Sequence, residues 1–145
     1  MKKSILACSI FAIAITSFAQ DQAASYVNEK LGQRERVLAK SGGDFAKTSY
    51  KTKGLEGLGV ASSDCMESVK NGKQSPHYCL GLEAASKTLF DNYTGEDQSP
   101  LFRQVKTWFS PEKQKYRIYA YCMVFLKTTD QQCGVHYANA KMAVE

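Results

Sequence analysis

The chain has few of the residues and motifs that most often mark a catalytic site. It contains two histidines, three prolines and one tryptophan, and its formal net charge is only +5. So mild a charge does not indicate a nucleic-acid partner, and none is expected. The sequence has no serine nucleophile elbow, no HExxH motif and no catalytic pair of carboxylates. We therefore predict a protein that is not an enzyme.

The sequence also lacks an apolar run long enough to cross a bilayer. The run from Ile5 to Ile15 has about 11 residues, whereas a transmembrane helix needs about 20. It follows a short basic segment and precedes Ser17 and Ala19, small residues that are typical of a signal-peptide cleavage site. We expect residues 1–19 to be a signal peptide and residues 20–145 to form a single domain without a stable membrane span. The predicted location is periplasmic or secreted.

No cysteine is left over in the predicted mature chain. Removal of the signal peptide leaves four cysteines, and an even number in an exported protein indicates disulfides. Cys65 and Cys79 bracket a segment that contains Gly72 and Pro76. A continuous helix would hold these two cysteines about 21 Å apart, but a disulfide requires Cα atoms about 4.4–6.8 Å apart. A turn between two short helices would bring them together.

The second pair of cysteines, Cys122 and Cys133, also brackets a helix, a polar turn and a helix. We therefore predict the disulfides Cys65–Cys79 and Cys122–Cys133. A nested pairing, Cys65–Cys133 with Cys79–Cys122, is the alternative, because it would join two antiparallel helices.

Each proline directly follows a serine, in the pairs Ser75-Pro76, Ser99-Pro100 and Ser110-Pro111. A serine hydroxyl accepts a hydrogen bond from an unpaired amide at a helix start, and proline is well tolerated at the first helical position. The three pairs therefore predict three helix starts. Thr129 and Gln132 predict a fourth through a capping box. The expected fold is all-α, a small disulfide-stapled bundle of about five or six helices.

Apolar periodicity predicts which faces of these helices are buried. Glu83 and Lys87 are expected to form an i,i+4 ion pair on a face other than the apolar one, and Trp108 is expected to be largely buried. The inward positions are predicted to be Leu101, Phe102, Val105, Trp108 and Phe109 in one helix and Val135, Ala138 and Met142 in the last.

The segment from Tyr116 to Phe125 has high β propensity, so a strand is an alternative to a helix there. The Ser110-Pro111 start favours the helix. Because the residues from Ile118 to Leu126 are apolar all round, this helix is predicted to be central and buried.

Residues 41–62 contain five glycines and show no sustained apolar period. This composition predicts a long flexible surface loop. The loop would connect a helix over Asp21–Ala39 to a short helix that begins at Asp64, with Glu67 completing a capping box.

Two groups of residues are candidates for a functional site. The loop from Asp91 to Gln98 offers Tyr93, Glu96 and Asp97 as partner-binding residues, since aromatic and charged side chains dominate interface energies. An alternative zinc site would use His77, Cys79, Cys133 and His136. Their spacing matches no zinc motif, and thiols seldom stay reduced in an oxidising compartment. No metal or cofactor is predicted, and both histidines are expected to be half-buried helix residues.

The segment DCMESVKNGKQSPHYCLGLEAA, Asp64 to Ala85, has a cysteine, a polar gap and then YCLG at the start of an amphipathic helix. It resembles part of the periplasmic immunity proteins of type VI secretion. The separate hairpin of Cys122 and Cys133 departs from that pattern. The resemblance implies an exported helical protein that binds and blocks a peptidoglycan-cleaving toxin. An envelope-stress or assembly factor is one alternative, and an enzyme that acts on the cell wall is another.

Overall fold

The computed structural model describes residues 9–95 and 99–145, and the side chains of residues 32–95 and 99–145. Within these ranges the chain is helical and contains no β-strand. The elements are α1 (Ser9–Lys70), α2 (Pro76–Asp91), α3 (Pro100–Trp108), α4 (Pro111–Tyr119), a π-helix (Ala120–Leu126) and α5 (Asp130–Val144). The predicted all-α fold is confirmed, and the strand considered for Tyr116 to Phe125 is wrong.

The chain divides between Arg34 and Glu35 into two units, and every contact given below lies within residues 35–145. The predicted signal peptide, residues 1–19, begins outside the described residues, and its cleavage stays a prediction. Among the described residues, no helix combines the length and apolarity that crossing a bilayer requires.

The predicted loop at residues 41–62 is wrong, because these residues belong to α1. α1 consists of two helical parts that meet at a kink at Gly54, where φ is 60° and ψ is −145°, a conformation that glycine adopts without strain. Asp64 therefore lies inside α1, and no helix begins there. Two of the glycines that suggested a loop, Gly42 and Gly43, lie instead against neighbouring helices.

Gly42 of α1 and Gly81 of α2 allow these two helices to approach closely. A Cβ atom at Gly81 would lie 1.9 Å from the carbonyl oxygen of Ala39, and one at Gly42 would lie 1.9 Å from that of Tyr78. Any side chain at either position would collide with the backbone of the other helix. This contact sets the packing of α1 on α2.

The predicted helix starts after serine are confirmed. Ser75 Oγ accepts a hydrogen bond from the amide of His77 at 3.3 Å, and Ser99 Oγ accepts one from Phe102 at 3.0 Å. α4 also begins at a proline, but its preceding serine, Ser110, makes no side-chain cap bond.

The start of α5 is also as predicted, with both hydrogen bonds of the Thr129–Gln132 capping box present. Just before it, Lys127 ends the π-helix in the left-handed conformation, with φ 55°. The chain therefore reverses between the π-helix and α5.

Both predicted disulfides are present. The Cα–Cα distance is 5.8 Å in Cys65–Cys79 and 5.3 Å in Cys122–Cys133. The first joins α1 to α2 and the second joins the π-helix to α5. The nested pairing is wrong, because the turns at residues 71–75 and 127–129 bring each cysteine to its neighbour along the chain.

α2 is the central helix of the described fold. All its residues from Cys79 to Ser86 are buried. The helix predicted to be central, Ile118 to Leu126, is buried only at Tyr121 and Cys122, while Met123 and Val124 are exposed. The prediction that this helix is central is wrong, because the segment has apolar residues on every side but one of those sides faces solvent.

The predicted inward face of α5 is also wrong. Val135 and Met142 are exposed, whereas Cys133, Ala140 and Val144 are buried. The disulfide at Cys133 sets the rotation of α5, and Ala140 and Val144 follow it at helical spacing. Val105 of α3 and Phe109, the residue that follows this helix, are buried as predicted, Leu101 is exposed, and Trp108 is partly buried and packs against the core.

Candidate functional site

The loop predicted to bind a partner is described only in part. Glu96 and Asp97 lie outside the described residues. Tyr93 is half-buried, and its ring centroid lies 5.7 Å from that of Phe102 in α3. Tyr93 therefore contributes to packing between the loop and α3, and its role as a binding anchor stays a prediction.

The two histidines come together with one carboxylate. His77 lies in the first turn of α2, His136 in the middle of α5 and Glu35 in α1. His77 Nε2 lies 3.3 Å from His136 Nδ1 and 3.3 Å from Glu35 Oε1. His136 Nδ1 lies 3.5 Å from Glu35 Oε2. We call these three residues the His–Glu cluster.

The His–Glu cluster is half-buried. The side chains of His77, His136 and Glu35 are 15%, 21% and 28% exposed, so solvent and small ions reach them. Burial is the main cause that lowers the pKa of His77, and the neighbouring His136 lowers it further, while Glu35 opposes the shift. The neutral imidazole is therefore favoured at His77, and a neutral imidazole has a lone pair available for a proton or a metal ion.

The zinc site considered from the sequence is wrong in its ligands. Cys79 and Cys133 are in disulfides and cannot act as thiolate ligands. The two histidines of that set do meet, but their third partner is Glu35. The sequence contains no signal that could have identified Glu35, because it lies on a different helix far from both histidines in the chain.

A buried ion pair next to α2 was also missed. Glu83 is 0% exposed, and its carboxylate accepts hydrogen bonds from Arg117 Nε and Nη2, each 2.8 Å long, and one from Ser62 Oγ. Lys87, the partner predicted for Glu83, instead pairs with Asp91. The predicted Glu83–Lys87 pair is therefore wrong.

The ion pair has further hydrogen-bonded neighbours. Arg117 Nη1 donates to the carbonyl of Trp108 at 2.8 Å, and Trp108 Nε1 donates to Ser62 Oγ at 2.9 Å. The guanidinium carbon of Arg117 lies 4.5 Å from the centroid of the Trp108 ring. Burial, followed by the charge of Glu83, raises the pKa of nearby Tyr137 to about 12. Because its charges are satisfied internally, this network supports the core rather than binding a ligand.

An exposed groove lies along α4 and the π-helix. It encloses about 700 Å³ and is bordered by Glu112, Lys113, Lys115, Tyr116, Tyr119, Ala120, Met123 and Val124. Three of its apolar side chains are strongly exposed, with Tyr116 at 75%, Met123 at 40% and Val124 at 62%. We call this surface the α4 groove.

The side chain of Tyr119 links the α4 groove to the start of α5. Its hydroxyl hydrogen-bonds the Asp130 carboxylate. This bond is the main cause that raises the pKa of Tyr119, since loss of the phenolic proton would place two negative charges in contact. One wall of the groove is therefore held to α5.

No protein family, curated protein or solved structure matches this chain. The resemblance of Asp64 to Ala85 to periplasmic immunity proteins therefore stays a prediction.

Proposed function

We propose that the mature chain is an exported, non-enzymatic protein that binds a protein partner in the cell envelope, and that its role is to inhibit a cell-wall-cleaving toxin in the periplasm. The observation that supports binding is the α4 groove. Monomeric proteins seldom leave a cluster of large apolar side chains exposed, and such clusters often mark protein interfaces.

The composition of the α4 groove indicates the chemistry of the partner. Its centre consists of Tyr116, Met123 and Val124, and aromatic residues and methionine are enriched at interfaces. Its border carries two lysines, Lys113 and Lys115, and one acid, Glu112. The partner we expect therefore presents apolar side chains surrounded mainly by acidic ones.

The scaffold supports export and a binding role. Two disulfides are typical of proteins that fold in an oxidising compartment. The second of them, Cys122–Cys133, ties the π-helix, which forms one wall of the α4 groove, to α5. A stapled scaffold of this kind holds a binding surface rigid, so little conformational entropy is lost on association.

The test compares two matched variants in an affinity capture from envelope extract. Val124→Glu places a charge in the α4 groove. Val135→Glu is the control, because Val135 is also an exposed helical valine, at 56% against 62%, but lies on α5 outside the groove. We expect the wild type and the control to retain one stoichiometric hydrolase and to inhibit it, and Val124→Glu to lose both.

Other outcomes would replace the proposal. Capture of many weakly held proteins would favour an envelope-stress or assembly factor. Turnover of peptidoglycan fragments by the protein alone would favour an enzyme. Equal capture by the Val124→Glu and Val135→Glu variants would show that the α4 groove is not the binding surface.

A further inference from the structure

We infer that the His–Glu cluster binds one divalent ion of the zinc class, a property that goes beyond the proposed binding of a protein partner. Two imidazole nitrogens and one carboxylate are the ligand types that zinc takes in many proteins. Calcium and magnesium prefer sites made of oxygen ligands only. The donor set of Glu35, His77 and His136 therefore favours a first-row transition ion over either of these.

The separations of the donor atoms match a single small ion. In a tetrahedral zinc site with bonds of about 2.0–2.1 Å, any two ligand atoms lie about 3.3–3.4 Å apart. His77 Nε2 lies 3.3 Å from His136 Nδ1 and 3.3 Å from Glu35 Oε1, and His136 Nδ1 lies 3.5 Å from Glu35 Oε2. The donors need little movement to coordinate one ion together.

The space beside these donors suits an ion and no larger ligand. The cavity they border has a volume of about 10 Å³. That volume is close to the space that a single water molecule needs, so an organic molecule would not fit. Arg36 also borders the cavity, but its side chain is exposed and can point into solvent.

An ion at this site would link three helices. Glu35 is on α1, His77 on α2 and His136 on α5. The disulfides join α1 to α2 and the π-helix to α5, so neither ties α5 directly to α1 or α2. Three protein ligands leave the fourth tetrahedral position for water or a group from a partner. An ion that binds only the folded chain also raises its melting temperature.

The binding test uses the purified, disulfide-bonded protein without a histidine tag, stripped of metal by a chelator and then dialysed. Isothermal titration with ZnCl₂ should give one equivalent bound, and zinc should raise the melting temperature. CoCl₂ should give the intense visible absorption of tetrahedral cobalt. Zinc should also shift the imidazole NMR signals of both histidines, a readout that requires no mutation.

Variants assign the ligands. His77→Ala, His136→Ala and Glu35→Gln should each weaken zinc binding at least tenfold. Glu67→Gln is the matched control, because Glu67 is an exposed carboxylate of α1 that lies beyond the kink at Gly54, and its loss should leave zinc affinity unchanged. His136→Gln replaces His136→Ala if the alanine variant does not fold, as judged by its far-UV circular dichroism without metal.

Three results would overturn the inference. The first is a zinc dissociation constant weaker than about 1 mM, which corresponds to about −4 kcal/mol. The second is unchanged zinc affinity in folded His77 and His136 variants. The third is zinc binding that leaves the imidazole signals in place. In each case the cluster would be a hydrogen-bonded group that holds a proton and no metal.

Discussion

Arg117 donates two hydrogen bonds to the buried carboxylate of Glu83, from Nε to Oε1 and from Nη2 to Oε2, each 2.8 Å long. Two parallel bonds of this kind are among the strongest that proteins form. The pair joins α4 to the central helix α2, and Gln114, one turn earlier on α4, donates to the carbonyl oxygen of Glu83 at 3.2 Å. α4 is therefore held to α2 by polar contacts as well as by apolar packing.

Removal of one partner of this ion pair should destabilise the fold strongly. Arg117→Met leaves the carboxylate of Glu83 buried without its cation, which costs about 3–5 kcal/mol. The measurement is the free energy of unfolding from urea denaturation. Lys87→Met is the control, because the pair of Lys87 with Asp91 is exposed to solvent and contributes about 0–1 kcal/mol. A similar decrease in the free energy of unfolding in both variants would contradict the structure.

The close contact between α1 and α2 predicts opposite effects for two glycine substitutions. Gly81→Ala should destabilise the protein by about 1–3 kcal/mol or more, because its Cβ would collide with the backbone of α1 at Ala39. Gly134→Ala has open space around it within α5 and should stabilise the protein by about 0.5–1 kcal/mol. The measurement is the melting temperature of each variant, compared with that of the wild type. A stable Gly81→Ala protein would mean that α1 and α2 are farther apart than described.

Each disulfide should contribute to stability to a similar extent. The paired residues are 14 positions apart in Cys65–Cys79 and 11 apart in Cys122–Cys133. A disulfide that closes a loop of this length stabilises the folded state by about 3 kcal/mol. Replacement of both cysteines of a pair by alanine, followed by urea denaturation, measures the loss. Peptide mapping of the unreduced mature protein should find no free thiol, and a peptide that links Cys65 to Cys133 would refute the pairing.

The loop at Tyr93 should affect stability as well as binding. Tyr93→Ala removes the ring contact with Phe102, which is worth about 0.5–1.5 kcal/mol beyond the area it buries. Tyr116→Ala is the control and should leave the melting temperature unchanged, because Tyr116 is 75% exposed. If the loop also anchors a partner, Tyr93→Ala combined with Glu96→Ala should weaken binding at least tenfold, or about 1.4 kcal/mol. Unchanged partner binding would exclude this loop from the interface.

Two of the errors made from the sequence concern which helix faces are buried. Apolar periodicity placed Glu83 away from the apolar face of its helix and Met142 on the inward face of α5, but Glu83 is fully buried and Met142 is 66% exposed. Periodicity assumes one apolar partner surface for each helix. α2 is surrounded by other helices and therefore has no solvent face from Cys79 to Ser86. A carboxylate can lie there because Arg117 neutralises it.

The prediction of a loop at residues 41–62 was wrong because it considered glycine only within its own segment of the chain. Residues 41–62 looked like a loop because glycine weakens helices. Gly42 lies instead where α2 comes closest to α1, and it permits a contact that no other residue allows. The energy of that contact depends on α2, so no local pattern around Gly42 could have shown it.

Features that depend on neighbours in the chain could be read without a structure. Ser75 and Ser99 cap helices because each hydroxyl reaches an amide within three residues. The Cys65–Cys79 and Cys122–Cys133 disulfides each join two helices that are consecutive in the chain and connected by a short turn. Features that depend on distant segments required the fold. Glu35 meets His77 and His136, and Arg117 meets Glu83, only because packing brings separate helices side by side. Such pairs are selected by burial and charge in three dimensions, and the spacing of residues along the chain does not encode them.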